Sequence, residues 1–314
     1  METNPLGYTG IMVSRLCFGT LALSPIQKEC PSEQAAELFL RAYDLGVNFF
    51  DTAELYQNYE PLAIALQSRP QMVISSRSYA VTFAEMRRSI DLARTALNRD
   101  WIDIFGIHEI ESEATLRGHR GALDYLCQAK AQGIIRAVAI STHTVAGVRA
   151  GATEPAVDVI HPLINREGIG IRDGSVAEMI AALQTAKEFG KGIYAMKVLA
   201  GGHLNGDAPA AIRFITGLDL ADSMAIGMQS LAEVRLNLEL ISGTTPDKAL
   251  LAEVGRTKRF LRIADWCHGC GRCVSRCGFG ALSLVNGRVA VDQARCMHCG
   301  YCARVCPDFC LKIM

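Results

Sequence analysis

Two cysteine runs near the end of the chain repeat one spacing: Cys267-x2-Cys270-x2-Cys273-x3-Cys277, then Cys296-x2-Cys299-x2-Cys302-x3-Cys306-Pro307. Three thiolates two residues apart can wrap one face of a metal cubane, because a short loop lets each sulfur reach a different iron. This is the spacing of paired 4Fe–4S clusters, in which the fourth ligand of each cluster comes from the other run. Cys267, Cys270, Cys273 and Cys306 are therefore expected on one cluster, and Cys296, Cys299, Cys302 and Cys277 on the second. Zinc sites usually show two separated Cys-x-x-Cys pairs, which would leave the third and fourth cysteines of each run unexplained. A disulfide framework suits small secreted domains, and residues 1–11 do not read as a secretory leader. A chain that holds two such clusters carries single electrons, so its expected chemistry is redox.

Residues 256–314 resemble the bacterial-type two-cluster ferredoxin domain. One departure is visible: Cys306 is followed by Pro307, but Cys277 is followed by Gly278, which also permits a tight turn. Residues 281–291, with Asn286-Gly287 at their centre, read as a hairpin between the cluster loops. Cys17, Cys30, Cys127 and Cys310 fall outside the spacing and are assigned no role, since lone cysteines are most often small buried hydrophobes.

The 314 residues suffice for one large domain and one small one, and the expected division is 1–250 and 256–314. With 32 basic and 32 acidic side chains the formal charge is zero, which argues against a nucleic-acid partner. No apolar run approaches the length of a membrane span. Many reduced thiols without an export signal point to the cytoplasm.

Before the cysteines, short apolar runs recur at 13–19, 47–51, 72–76, 102–108, 137–141, 157–160, 193–197 and 223–227. Most are continuous Val, Ile and Phe, as parallel strands buried on both faces require. Amphipathic stretches lie between them at 32–45, 83–97, 123–131, 176–189 and 231–240, with Ser32 as expected N-cap and Gly46 as stop of the first. The seventh helix, near 209–216, reads as short. Eight strand–helix repeats predict a (β/α)8 barrel followed by a small α+β domain. No G-x-G-x-x-G follows the first strand, which weakens a dinucleotide-binding open sheet.

Chemistry in such barrels sits at the C-terminal ends of the strands. Polar residues gather there: Asp51 closing strand 2, Tyr56 just beyond it, Arg77 after strand 3 and His108 ending strand 4. The segments Gly10-Ile-Met-Val-Ser-Arg-Leu-Cys-Phe-Gly-Thr20, Val47-Asn-Phe-Phe-Asp-Thr-Ala-Glu-Leu-Tyr56, Trp101-Ile-Asp-Ile-Phe-Gly-Ile-His108 and Gly227-Met-Gln-Ser-Leu-Ala-Glu-Val-Arg-Leu-Asn237 resemble an aldo-keto reductase over about residues 7–241. A subgroup of that family carries a C-terminal two-cluster ferredoxin domain, and the chain is similar to it throughout.

The resemblance implies a tetrad of Asp, Tyr, Lys and His. Asp51, Tyr56 and His108 match it, and Arg77 stands where lysine is expected. It further implies hydride delivery to a carbonyl carbon while the tyrosine protonates the oxygen. A free tyrosine titrates near pH 10, so a neighbouring cation is needed to make its proton mobile. Arginine keeps the charge but presents a wide planar fork rather than a point charge. Several positions that hold the family's dinucleotide have drifted: the Ser-Asn pair reads Ser141-Thr142, the glutamine reads His161, and the stacking aromatic reads Met196. The Lys-Ser pair and arginine of the 2′-phosphate grip become Gly227, Met228 and Glu233. A carboxylate there favours NAD over NADP. Ser141, Asn165, Gly227, Ser230, Glu233 and Asn237 are the candidate nucleotide contacts.

Nicotinamides give hydrides and each cluster passes one electron, although two clusters together can store the two electrons a carbonyl reduction needs. Either the barrel uses the nicotinamide with the clusters auxiliary, or the clusters feed the barrel from an external ferredoxin or flavodoxin. The alternative is a non-catalytic electron-transfer protein whose barrel is a docking or sensing module. The expected substrate is a small carbonyl compound or alcohol. The charged stretch 109–120 reads equally as a solvated loop or an anionic-substrate contact.

Overall fold

A computed structural model of the protein describes residues 3–27, 30–256 and 258–314, so the first two residues of the stretch read for a leader lie outside it. The strands are β1 Thr3–Pro5, β2 Met12–Ser14, β3 Leu16–Gly19, β4 Phe49–Asp51, β5 Val73–Ser78, β6 Ile102–Ile107, β7 Ile135–Thr142, β8 Val159–Pro162, β9 Gly192–Ala195 and β10 Ser223–Gly227. The last eight close into a parallel barrel in the order β10-β3-β4-β5-β6-β7-β8-β9. The helices are α1 Ser32–Asp44, α2 Tyr59–Ser68, α3 Phe83–Leu97, α4 Glu113–Gly118, α5 Arg120–Ala131, α6 Val145–Thr153, α7 Val176–Glu188, α8 Ala208–Leu218, α9 Leu231–Ile241 and α10 Lys248–Gly255. Strands β4, β5 and β6 are buried along their whole length, the burial that their unbroken apolar sequence predicts.

The run 13–19 is two elements, not one strand. β2 pairs antiparallel with β1, and only β3 joins the barrel. The hairpin so formed sends Leu6, Ile11 and Val13 into the barrel interior, against Cys17, Phe49, Ile104 and Tyr194. It thus plugs the end opposite the mouth. A second, larger core lies between the strands and the helical ring, with Phe18, Phe39 and Phe50 in mutual ring contact.

Several local expectations are corrected. Pro31, not Ser32, is the N-cap of α1, and the Ser32 hydroxyl instead donates to Glu60 at 2.6 Å. The stretch 109–120 contains α4, capped by the Ser112 hydroxyl accepting from the Thr115 N–H. The seventh helix is full length, with eleven residues.

Beyond α10 the chain forms β11 Leu261–Ile263, α11 Arg272–Arg276, β12 Leu282–Val285, β13 Arg288–Val291 and β14 Leu311–Ile313. β11 and β14 pair antiparallel, bringing the two ends of this cysteine-rich segment together. β12 and β13 form the expected hairpin, with Asn286 at φ 50° and Gly287 at φ 75°, both left-handed as a two-residue type I′ turn requires. The C-terminal segment packs on the barrel mouth. Phe309 and Ala303 share a buried cluster with Ile169, Ala200, Leu204 and Ala211, and the His203 ring meets the Leu311 carbonyl oxygen at 2.9 Å.

Candidate active site and cysteine cavities

β4 ends in Asp51, and the turn after it is fixed by buried hydrogen bonds. The Thr52 hydroxyl donates to Asn58 Oδ1 at 2.7 Å, and the Asn58 amide donates to the Thr20 carbonyl and hydroxyl oxygens. This places a 3-10 turn, Glu54–Tyr56, whose last residue leans back over the barrel. From the neighbouring strand Arg77 reaches across. Its Nη1 donates to Asp51 Oδ1 at 2.6 Å and to the Thr52 carbonyl at 3.1 Å, while Nη2 donates to Asp51 Oδ2 at 3.2 Å and to the Tyr56 hydroxyl at 2.7 Å. The planar fork therefore does what a point charge cannot: it grips both carboxylate oxygens and still holds the phenol. Tyr194, unremarked in the sequence, donates its hydroxyl to Asp51 Oδ1 at 3.0 Å.

The electrostatics follow from burial. Asp51 and Arg77 are each 4 % exposed, so their pairing is strong and their separation costly. Burial pulls Arg77 down, but Asp51, Tyr56 and Tyr194 outweigh it and hold it above its ordinary value. Tyr56 moves the other way from the simplest expectation: burial raises it, and although Arg77 lowers it, the net shift is upward. Its phenol is thus protonated, with Arg77 occupying the oxygen from one side and leaving the O–H free.

His108, immediately past β6, stacks on Tyr79 at 4.3 Å and meets the Tyr56 ring edge-on at 6.3 Å. Burial, then Arg77 and the other histidines and Lys197, depress it well below its ordinary value, so it is neutral. Its Nδ1 is buried without a hydrogen-bond partner among the described residues. His161 is pushed down to about 3, chiefly by burial, and stacks on Tyr194 at 3.8 Å. Being neutral and 2.7 Å from the Tyr194 carbonyl oxygen through Nδ1, it must carry its proton on Nδ1, which leaves Nε2 as an acceptor.

A cleft enclosing about 1180 Å3, its open side included, runs over this mouth; Asp51, Tyr56, Arg77, His161, Met196 and Lys197 form one part of its wall. Gly227, Glu233 and Asn237 form another part. Ser230 instead caps α9, accepting from the Glu233 N–H. Ser141 and Asn165 are not among its walls. Ser141 accepts from the Glu109 N–H, and Asn165 spends its amide on the Ile169 and Glu167 backbone. Glu233 accepts from the Gln229 N–H at 2.7 Å and from Arg259 at 3.2 Å, so its charge is already balanced. The carboxylate that was expected to repel a 2′-phosphate is neutralised by an arginine 26 positions downstream, a pairing no local pattern reveals.

Sequence reasoning passed over Lys197. It follows β9 at φ 58°, lines the cleft, and is lowered to about 8, first by burial and then by Arg77. The strand-end argument applied to β4, β5 and β6 would have found it. Lys312 also lines the cleft, from the far end of the chain.

None of the twelve cysteines is in a disulfide. One cavity is walled by Cys267, Cys270, Cys273 and Cys306, with Cys310, to which no role was assigned, also in its wall; another is walled by Cys277, Cys296, Cys299 and Cys302. Two of the sulfurs accept backbone hydrogen bonds, Cys277 from Ala281 at 3.3 Å and Cys306 from Cys310 at 3.2 Å, an environment suited to thiolate ligands. At least four cysteines around each space fit the ligand number of a 4Fe–4S cube.

Ionisable groups gathered at the C-terminal end of a closed parallel barrel, with a cysteine-rich domain packed against them, define a barrel oxidoreductase. The Aldo/keto reductase family profile matches residues 15–213, more than half of the chain, and the chain belongs to that family. A 4Fe-4S dicluster domain profile matches residues 259–307, so the chain carries an iron–sulfur domain as well. L-galactose dehydrogenase of Arabidopsis thaliana is 24 % identical over 229 residues, 67 % of this chain and 69 % of the relative. The uncharacterized oxidoreductase YrpG of Bacillus subtilis is 26 % identical over 136 residues, 35 % of this chain and 41 % of its own. Among solved structures, aldo-keto reductase AKR11C1 of Bacillus halodurans in its holo form superposes with a TM-score of 0.67 at 17 % identity, covering 82 % of this chain and 96 % of that one. An aldo-keto reductase of Pseudomonas aeruginosa gives 0.66 at 24 % identity, over 77 % and 94 %. These likenesses establish the barrel. Among the described residues no helix is long and apolar enough to cross a membrane.

Proposed function

We propose that the barrel mouth reduces a small carbonyl compound, or oxidises the corresponding alcohol, with Tyr56 as the proton donor. The observation that carries this reading is the single guanidinium joining Asp51 to the Tyr56 hydroxyl at 2.7 Å. Because Arg77 donates to the phenol oxygen, the phenol's own O–H is free to meet a carbonyl oxygen. When that proton leaves, the tyrosinate forms beside a cation held in place by Asp51, in a dry site where such contacts are strong. His108 is neutral and its ring meets that of Tyr56 edge-on, so it adds a polar ring beside the phenol without a repelling charge.

A reduced nicotinamide supplies a hydride when bound, and 4Fe–4S clusters supply single electrons. Gly227, Glu233 and Asn237 in the cleft wall suit a dinucleotide's adenosine side, and the Glu233–Arg259 pair removes the repulsion on which a preference for NAD rested. The two sets of four cysteines are proposed as the cluster ligands. Cys270 and Cys299 are the exposed members, one on each cavity, which favours electron exchange with an external ferredoxin or flavodoxin. The proposed domain boundary falls between 250 and 256, and a reducing cytoplasm is the proposed compartment.

The test is an anaerobic titration of the full chain with NADH and NADPH, following aldehyde turnover and the visible absorption of the clusters. Tyr56→Phe should lower kcat for carbonyl reduction by about 10²–10⁴-fold with the cluster spectrum intact. Unchanged turnover in that variant would remove the tyrosine from the mechanism. Turnover that needs reduced ferredoxin rather than either nucleotide would select the cluster-fed route.

A further inference from the structure

The mouth holds two lysines that no carboxylate answers. Lys312, on β14 of the cysteine-rich domain, is 8 % exposed, and Lys197, on the loop after β9, is half-buried; both side chains line the cleft that contains Tyr56 and Arg77. Neither ammonium has a hydrogen-bond or ion-pair partner among the described residues. Each has an aromatic face instead, Lys312 over Trp266 at 4.5 Å and Lys197 near Phe309 at 5.6 Å. Two acids of the mouth are engaged elsewhere, Asp51 by Arg77 and Glu233 by Arg259; Glu109, 3.4 Å from a neutral His143, acts on both lysines through space without forming an ion pair to either. Burying two cations in one cleft without a paired anion is costly, and a cation–π contact offsets only part of that cost. The cost is visible in their titration. Lys312 falls to about 7 by burial and then by Lys197, and Lys197 to about 8 by burial and then by Arg77.

We propose that Lys197 and Lys312 form an anion clamp assembled from both domains, and that the carbonyl compound taken at this mouth carries a carboxylate. The proposal rests on the carbonyl-reducing reading above for its second half only; the clamp itself is a binding site. A carboxylate reaching the two ammonium groups supplies the direct ion pair the fold withholds, and it orients the substrate's carbonyl within the same cleft as the Tyr56 hydroxyl. Because one of the two cations comes from β14, the site is complete only when the cysteine-rich domain is seated.

The experiment uses full-length protein purified anaerobically, with cluster absorption and circular dichroism confirming each variant. The ratio of kcat/KM for 4-carboxybenzaldehyde over its methyl ester is measured in the wild type and in Lys312→Met, Lys197→Met and Lys312→Arg. The ratio should fall at least about tenfold in either methionine variant and be largely kept in the arginine variant. An unchanged ratio overturns the proposal. Binding of NADH and NADPH is measured on the same proteins. If the methionine variants weaken the dinucleotides by that factor while the acid-to-ester ratio holds, the anion is the dinucleotide's pyrophosphate and the substrate assignment is overturned. Calorimetry with benzoate needs no turnover. Wild-type binding lost in Lys197→Met sustains the clamp even if no aldehyde is reduced, in which case only the carbonyl reading falls; no binding to the wild type overturns the clamp. Should Lys312→Met fail to fold, the half-buried Lys197 gives the same readouts.

Discussion

Replacing Asp51 with asparagine tests whether the Arg77 fork is held by charge. Both side chains are about 5 % exposed, and Asp51 accepts from Arg77 at 2.6 and 3.2 Å and from Tyr194 at 3.0 Å. The amide keeps one acceptor oxygen, but its NH2 faces a guanidinium that has only donors, and the cation is left buried without a counter-ion. Breaking a buried pair from one side costs about 3–5 kcal/mol. At roughly 2–4 °C per kcal/mol for a domain of this size, the barrel's Tm should fall by about 6–20 °C. Far-UV circular dichroism follows the barrel while visible absorption follows the clusters. The decisive comparison is a double-mutant cycle. Arg77→Met alone should also be strongly destabilised, but Asp51→Asn/Arg77→Met should recover most of the loss, because two neutral groups replace a broken pair. If the double variant is as unstable as the sum of the singles, the two residues are not coupled and the argument from their geometry fails.

Other consequences are sharp. Cys306→Ser should remove the cluster of the first run and leave that of the second, so iron analysis should give about half the wild-type metal, with Cys277→Ser depleting the opposite site; loss of one and the same cluster in both variants would contradict the crossed division of cysteines. His143 and His161 are both pushed down to about 3, mainly by burial. The unfolded chain therefore takes up protons that the folded one refuses, and stability should fall as pH drops from about 6.5 towards 3. His161→Gln should flatten that slope in urea denaturation across a pH series; an identical slope would contradict a buried neutral ring. Gly202→Ala should unseat the C-terminal strand, since a Cβ there would meet the Ile313 carbonyl oxygen at 2.0 Å and φ is 91°. Limited proteolysis near Phe260, whose N–H pairs with the Met314 carbonyl oxygen, should accelerate, whereas Gly206→Ala, with nothing within 4 Å, should leave it unchanged.

The barrel was legible because its strands are buried on both faces and so appear as unbroken apolar runs, which no surface element imitates at that repeat. The errors have local causes. Met12–Ser14 and Leu16–Gly19 read as one strand because only Arg15 separates them, and a single residue cannot announce that the chain leaves a hairpin and enters a barrel. Helix α2 carries Pro61 within its first turn, and α6 has glycines at 147 and 151, so neither shows the propensity of a helix; both form because they pack on their neighbours. The proposed cysteine division was drawn from spacing alone, since ligand chemistry fixes distances along the chain more tightly than packing does, and spacing gave no sign that Cys310 would line the first cavity.

The candidate site divides along the same line. Asp51, Tyr56, Arg77 and His108 sit at consecutive strand ends, and a barrel brings consecutive strand ends together whatever lies between them. Lys312 obeys no such rule. It reaches the mouth because Gly201 and Gly202 lack side chains where Phe309 and Ile313 press closest, which lets β14 lie against the loop that carries Lys197. Read in isolation, that glycine pair is a turn. Only the approach of a second domain gives it a consequence: any side chain at Gly202 would hold β14 off, and Lys312 would be withdrawn from the cleft with it. Residues 201–202 therefore decide whether the barrel's mouth is lined by one lysine or two. On the proposed clamp, substrate choice in this chain should depend on the docking of its iron–sulfur domain.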